Sequence, residues 1–359
     1  MEAPNFLTIA EQVADYLRQE LLRGRWTETI PGTNSLATEL GVNAKTVEAG
    51  LRLLEKDGLL VGQGAGRRRR IELPKGHTPP ALRVAILCYE KGDEANDLVI
   101  RFENKLKEAG HTVVYASKNL TDLDGNTRLL APMIRRTAAD AWVILSGSKE
   151  LLQHFEARHI PVFALYGFQG GLKVAGIAPV LVHAVVAATR RLIALGHQRI
   201  VLLDKQITLS SPASYVASFC GEMASHGIEV GEYNVPGWEG GYDGLYKRLE
   251  SLFANTPPTA IFLFSPAEYF AVIQFLAHKG LRVPGDVSLI CCDIAQYFNR
   301  YQPTISHVRW KDQLVVNRIA RWAKNIRLGN QDVHQTRIAA EFVEAGTVGV
   351  APQEISQGS

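Results

Sequence analysis

The stretch Ile30-Pro-Gly-Thr-Asn-Ser-Leu-Ala-Thr-Glu-Leu-Gly-Val-Asn-Ala-Lys-Thr-Val-Glu-Ala-Gly-Leu-Arg-Leu-Leu-Glu-Lys-Asp-Gly58 decides how the amino-terminal part of this chain is read. Gly41 stops a short helix, and Asn43 can cap the next one with its side-chain oxygen. Val47, Leu51 and Leu54 form one apolar face of that second helix and leave the opposite face polar. Two short helices joined by Gly-Val-Asn, the second polar outside, predict a helix-turn-helix. Upstream, 7–23 reads as an amphipathic helix: Ile9, Val13, Leu17 and Leu21 recur every fourth residue, and Gly24 supplies a stop. Downstream, Leu59-Leu-Val61, Gly62-Gln-Gly-Ala-Gly66 and Arg67-Arg-Arg-Arg-Ile71 predict a small hairpin, the wing of a winged helix.

The glycine-arginine run has the wrong spacing for a dinucleotide loop, and no crossover helix follows it. It also lacks the lysine and hydroxyl pair of a phosphate loop. As a wing, Gly64 and its neighbours allow close backbone approach, and Arg67, Arg68, Arg69 and Arg70 supply counter-charge for phosphates or a narrow minor groove. Strand alternation would put Arg67 and Arg69 on one face, Arg68 and Arg70 on the other. A solvated charged hairpin edge is the competing reading.

Ile30-Pro31, Leu36-Ala37, Leu40-Gly41-Val42-Asn43, Thr46-Val47, Leu51, Leu54 and Asp57-Gly58-Leu59-Leu60 resemble the GntR-type winged helix-turn-helix of bacterial transcription regulators. The resemblance covers nearly all of residues 1–71 and implies binding to a double-stranded DNA operator. Where that family often carries arginine, this chain has Asn34, Ala44 and Glu48. Glu48 would repel phosphate unless it accepts from a cytosine amino group. Lys45, Thr46 and Arg52 remain on the exposed side as base or phosphate contacts, or as a solvated helix face, with Asn43 at their head. Thr33 either caps its helix or touches DNA.

Beyond residue 71 the pattern changes. Residues 72–82 hold three prolines and a glycine, as expected of a linker. After it, apolar runs at 83–89, 112–115, 141–145, 161–165, 199–203, 260–264 and 287–292 read as buried strands. Helix-length segments at 98–109, 149–158, 180–195, 214–225 and 267–278 alternate with them. That alternation predicts an α/β domain over 83–350 with doubly wound parallel sheets.

Arg83-Val-Ala-Ile-Leu-Cys-Tyr89 and the helix after it resemble the opening of a LacI/GalR-type effector domain. The resemblance returns at 138–145, 159–165, 190–204, 258–262, 280–290 and 303–308. It implies a periplasmic-binding-protein-like fold of two lobes, with a boundary near 180, the chain crossing back near 305–330, and a ligand cleft at the strands' carboxyl ends. Where sugar-binding relatives carry arginine ahead of Gly-Phe, this chain has Ser214 and Ser218-Phe219; where they carry Asn-Asp it has Ser265-Pro266. Asp293 keeps the expected carboxylate. Each unpaired buried polar group costs ~1–3 kcal/mol, so losing several sugar partners argues against a plain hexose. Tyr89, Glu90, Ser146, Tyr166, Ser214, Phe264, Ser265 and Asp293 stand at predicted strand ends and are the cleft candidates. His197, after a helix stop, reads as structural.

No G-x-S-x-G, metal-spaced His/Cys cluster or local carboxylate pair points to an enzyme, a cofactor or a metal. Glu90, Asp93, Glu94 and Asp97 could hold a cation but read more simply as a solvated loop. The four cysteines, Cys88, Cys220, Cys291 and Cys292, form no disulfide framework and read as buried thiols. No apolar run reaches the ~18 residues of a membrane span, and the first sixteen residues carry Glu2, Glu11 and Asp15 where a signal peptide is basic. A net charge of +3 permits an anionic partner. The expectation is a cytoplasmic, homodimeric repressor released from DNA by a small polar effector, with residues 351–359 a disordered tail. Two alternatives stay open: a regulator with a degenerate cleft governed by a protein partner, and an α/β enzyme with an appended winged helix.

Overall fold

The computed structural model describes residues 7–22, 25–26, 28–64, 66–73, 80–123, 126–168, 170–204, 215–238, 240–293 and 297–353. The middle of the expected linker (74–79), Ser214 and residues 354–359 of the expected tail lie outside them. The chain divides into two units, Met1–Gly176 with Val315–Gln335, and Ile177–Leu314 with Thr336–Ser359.

The first unit opens with α1 (Ile9–Leu22), α2 (Thr33–Leu40) and α3 (Ala44–Lys56). Val13, Leu17 and Leu21 of α1 meet Val47, Leu51 and Leu54 of α3 and Leu36 of α2 in one small core. Ile9 does not join it. It stays 62% exposed and lines a shallow surface depression with Asn43, Lys45, Thr46 and Ala49. Gly50 sets the closeness of the α1–α3 packing: a Cβ there would lie 3.0 Å from Val13 Cγ1, 3.1 Å from the Ala10 carbonyl and 3.3 Å from the Ala14 nitrogen. The wing strands are short, β1 (Leu60–Val61) antiparallel to β2 (Arg70–Ile71). Thr29 bridges to Arg70, so the wing carries a third edge. Glu72 still donates its N–H to the Leu59 carbonyl (2.9 Å), while Leu82 donates to His111 Nδ1 (3.1 Å) at the start of the next core.

That core is built on β3 (Arg83–Leu87), α4 (Asp97–Glu108), β4 (Thr112–Tyr115), α5 (Leu120–Leu123), α6 (Leu130–Thr137), β5 (Ala141–Leu145), α7 (Lys149–Glu156) and β6 (Val162–Leu165). The strands run parallel in the order β4-β3-β5-β6. β5 and β6 are buried at every position and β3 at all but its first, as a sheet covered by helices on both faces requires. Trp142 and Phe155 meet edge to face at 5.4 Å inside it.

The chain enters the second unit within β7 (Ala175–Val180). There follow α8 (Val182–Ala194), β8 (Ile200–Leu203), α9 (Tyr215–Ser225), α10 (Gly241–Asn255), β9 (Ala260–Leu263), α11 (Pro266–His278), β10 (Ser288–Cys291) and β11 (Ser306–Trp310). α12 (Gln313–Arg327) belongs almost wholly to the first unit, and β12 (Gln335–Val343) returns to the second. β8, β9, β10 and β11 are parallel neighbours, and β12 runs antiparallel against β11. In the first unit the Arg318 guanidinium of α12 donates to both oxygens of Asp332 (3.0 and 2.6 Å) and lies 5.4 Å over the Phe163 ring.

The α/β class and the parallel, doubly wound sheets agree with the sequence reading. Seven elements beyond residue 82, α5, α6, α10, α12, β7, β11 and β12, went unread. β12 (Gln-Thr-Arg-Ile-Ala-Ala-Glu-Phe-Val) mixes polar and apolar residues and buries only Ile338, so it offers no continuous apolar run.

His197 is a knot in the second unit. Its ring is 1% exposed; Nδ1 meets Thr259 Oγ1 at 2.9 Å, and Nε2 meets the Gly349 carbonyl at 3.0 Å and Ser288 Oγ at 3.2 Å. The carboxy-terminal segment is thereby tied back to β10. Burial holds the imidazole below the ordinary histidine range, against the opposing bond to Gly349. A histidine kept neutral in the fold contributes stability that is complete above its unfolded pKa of ~6.5 and is lost as pH falls below it. His197→Ala is expected to cost ~1–3 kcal/mol at pH 7.5 by orphaning its partners, and to flatten the loss of stability between pH 7.5 and 5.5. Urea titration at the two pH values checks both. Gly50→Ala is expected to destabilise the amino-terminal helices, since overpacking costs ~1–3 kcal/mol against at most ~1 kcal/mol of helix propensity gained. A melting temperature at or above wild type would refute that packing argument.

Candidate nucleic-acid interface

The turn between α2 and α3 is set by two residues. Gly41 adopts a left-handed conformation (φ 67°) and its N–H donates to the Ala37 carbonyl. Asn43 then caps α3: its Oδ1 accepts from the Thr46 N–H at 2.8 Å and from Thr46 Oγ1 at 3.0 Å. Such a cap contributes ~1 kcal/mol and fixes where the helix begins. With the apolar face of α3 buried against α1, Lys45, Ala49 and Arg52 face outward, and the Arg52 side chain is 74% exposed. Asn43 and Thr46 are thus engaged with each other at the helix start, next to Lys45.

The wing differs from the alternating strand expected from the sequence. Strand pairing stops at Arg70, so Arg67 and Arg68 lie in the turn rather than on opposite strand faces. Gly64 (φ 101°) and Gly66 (φ 76°) take backbone conformations closed to most residues, and the Arg67 N–H donates to the Gly64 carbonyl at 3.2 Å. Arg67 and Arg68 project into solvent at the tip. Arg70 is exposed and paired with Glu72, a solvated ion pair of small worth. Arg69 is turned inward: its side chain is 17% exposed and bound to Glu48 (2.7 Å) and Glu55 (2.9 Å) of α3.

Glu48 neither opposes phosphate nor stands free to read a base, the two fates expected from the sequence. Hydrogen bonding from Arg69, the largest effect, outweighs partial burial and holds its carboxyl below the usual range. Thr33 Oγ1 donates to it at 3.1 Å, and Arg52 Nε stands 3.4 Å away. Thr33 is not the cap of α2: the capping position is Gly32, without a side-chain bond. Glu48 is therefore neutralised from within the protein. Among the described residues, Lys45, Arg52, Arg67 and Arg68 are outward charges on the recognition helix and wing, with Lys56 exposed at the end of α3.

The other candidates lie in two groups, each at the carboxyl ends of parallel strands. In the first unit, Tyr89 and Glu90 follow β3, and their N–H groups donate to Asp93 Oδ2 at 2.9 and 3.1 Å. Asp93 thereby organises a backbone loop, which explains part of the acidic run. Ser146 after β5 and Tyr166 after β6 both hold left-handed φ, 51° and 61°, a conformation unusual for any residue but glycine and rarest for bulky ones. Gly167 makes this possible: a Cβ there would stand 2.6–2.8 Å from the backbone of Ser146 and Gly147.

In the second unit, Ser265 caps α11, accepting from the Glu268 N–H at 3.1 Å. Phe264 stacks on Tyr215 with ring centroids 4.7 Å apart. Tyr215 in turn donates from its hydroxyl to Asp204, which is 4% exposed at the end of β8. Asp293 follows β10 and Cys292. Burial, the largest effect, pushes the Cys291 and Cys292 thiols well up, with Asp293 adding to it. Sequence reasoning missed Asp204 and Tyr215. Their only signal was position, one at the end of a predicted strand and the other opening a predicted helix. Among the described residues, no group of three His, Cys, Asp or Glu side chains is arranged to hold a metal ion.

Residues 9–67 match the bacterial regulatory proteins of the gntR family, and residues 189–348 match the periplasmic binding protein-like domain. The chain joins a gntR-family helix-turn-helix to a periplasmic binding protein-like domain. Among curated relatives, the HTH-type transcriptional repressor PurR of Pasteurella multocida is 25% identical over 155 residues, 42% of this chain and 41% of its own length. The chain thus spans about two fifths of that relative. Two solved structures share the fold. One is the transcriptional regulator CelR in complex with cellobiose, at 18% identity and TM-score 0.62, covering 89% of this chain and 100% of that one. The other is a LacI family transcriptional regulator from Enterococcus faecium with bound ribose, at 16% identity and TM-score 0.62, covering 75% and 99%.

Removing one phosphate-binding cation should lower the slope of log affinity against log salt by about 0.9. Arg67→Ala and Arg68→Ala are each expected to do so, weakening all duplexes alike, whereas Lys45→Ala should penalise a preferred site more than random DNA. Fluorescence anisotropy over a range of salt concentrations reads both effects. Unchanged slopes for both arginine variants would remove the wing tip from the interface.

Proposed function

We propose that this protein is a ligand-responsive, DNA-binding transcription repressor, working as a homodimer in the cytoplasm and released from its operator by a small polar metabolite. The observation that carries this reading is the pairing of a winged helix, which presents Lys45, Arg52, Arg67 and Arg68 outward, with parallel α/β units whose polar candidates stand at strand ends. A single winged helix buries too little DNA for high specificity, and two copies reading two half-sites match an operator's symmetry. Residues 1–71 serve as the reader, 72–82 as the linker, and 83–350 as the sensor that also dimerises. That PurR is a repressor and that the two solved relatives hold cellobiose and ribose support the same reading.

Tyr89, Glu90, Ser146 and Tyr166 in the first unit, and Phe264, Ser265 and Asp293 with Asp204 and Tyr215 in the second, are proposed as effector-binding residues. Asp293 accepts from the ligand's hydroxyl or amino groups, and the stacked Tyr215–Phe264 pair offers a flat apolar surface. A ligand that weakens DNA binding must itself bind the DNA-bound form less well.

Unbiased selection from random duplexes tests the reader; folded protein that enriches no sequence defeats the proposal. For the sensor, Asp293→Ala is expected to weaken the metabolite that raises the melting temperature by ~1.5–3 kcal/mol, leaving DNA affinity of ligand-free protein unchanged. Calorimetric titration of both proteins checks this, and equal affinities would place Asp293 outside the site.

A further inference from the structure

The four wing arginines are not equivalent, and the difference lies in where their donors point. Arg69 spends its Nε on Glu55 (2.9 Å) and one terminal nitrogen on Glu48 (2.7 Å). The two carboxylates are seven residues apart, two turns along the same flank of α3, and one guanidinium answers both. The Arg69 carbonyl accepts from the Ile30 N–H at 3.1 Å, which ties the same residue to the segment entering α2. Thr33, the first residue of α2, reaches Glu48 from its other side. Just past β1, Gly62 leaves the room that Glu55 occupies: a Cβ at 62 would lie 3.0 Å from Glu55 Oε1.

Reaching a phosphate would cost Arg69 both partners and uncover two carboxylates on the element that faces DNA. A fork of fixed N–H directions suits two acceptors at once; an ammonium on a flexible stem does not. Resting on the DNA-reading function proposed above, we propose that Arg69 is a positioning residue. Through Glu48 and Glu55 it fixes the wing against the recognition helix and cancels their charge, and phosphate contact falls to Arg67 and Arg68 at the tip.

The expected outcome is opposite in sign to simple electrostatics. In the full-length protein, Glu55→Gln removes a negative charge near DNA, yet it should weaken binding to the selected duplex by about tenfold, the scale of one charge-assisted hydrogen bond. Arg69→Lys keeps the charge and should weaken binding comparably. Gly62→Ala changes no charge, crowds Glu55 from just past β1, and should act in the same direction. None of the three should lower the salt slope, whereas Arg67→Ala lowers it by about 0.9. Circular dichroism melts confirm that each variant is folded at the assay temperature, and the three independent variants guard against one that is not. Equal or tighter binding by Glu55→Gln overturns the proposal. So does wild-type affinity for Arg69→Lys together with a slope lowered by about 0.9 in Arg69→Ala, the signature of a plain phosphate contact. A wild-type protein that binds no duplex overturns the DNA reading itself and this role with it.

Discussion

Parallel strands covered on both faces leave a protein no lateral surface for chemistry, and that constraint organises everything after residue 82. β5, β6, β8, β9 and β10 are buried throughout, so polar side chains can emerge only where the strands end. The carboxyl ends carry Tyr89, Ser146 and Tyr166 in one unit and Asp204, Phe264 and Asp293 in the other. The amino-terminal side of β10 is instead spent on structure, where Ser288, His197 and Thr259 hold the carboxy-terminal segment. The proposed effector contacts and the structural knot thus lie at opposite ends of the same strands.

The winged helix solves a different problem, which is to present positive charge from a helix that also carries acids. α3 has two glutamates on the flank toward the wing, and the structure neutralises both with a single arginine instead of leaving them to oppose a polyanion. The outcome is a division of labour within four consecutive arginines. Two face outward, one pairs with a neighbouring glutamate in solvent, and one is structural in placement. Sequence composition alone counts all four as equal.

The sequence revealed most elements that are apolar along their whole length, β7 with its Gly176 and Pro179 being an exception. The runs at 112–115 and 141–145 coincide with strands, and the caps at Asn43 and Gly41 mark real helix ends. β12 and α12 escaped because each is amphipathic and bordered by polar residues, and because the chain leaves one unit and returns to it there. The buried Arg318–Asp332 pair escaped for the same reason, since nothing in an isolated arginine says that a carboxylate fourteen residues on will meet it under cover. At the interface, residue type identified the wing and the recognition helix but not direction. Whether Glu48 repels, reads or is silenced depends on Arg69, twenty-one residues away in the chain. Asp204 and Tyr215 were invisible as a pair because they stand on different elements and only the fold brings the tyrosine hydroxyl to the carboxylate.

The separation of the two flanks of α3 bears on how this reader can change over generations. The flank that anchors the wing, Glu48 and Glu55, is distinct from the outward positions Lys45 and Ala49, which make none of the anchoring bonds. Substitutions at 45 and 49 therefore change the outward surface of α3 without touching the bonds that hold the arm beside it. Under the proposed function, such a scaffold would let operator preference drift one residue at a time while the docking pose is inherited intact.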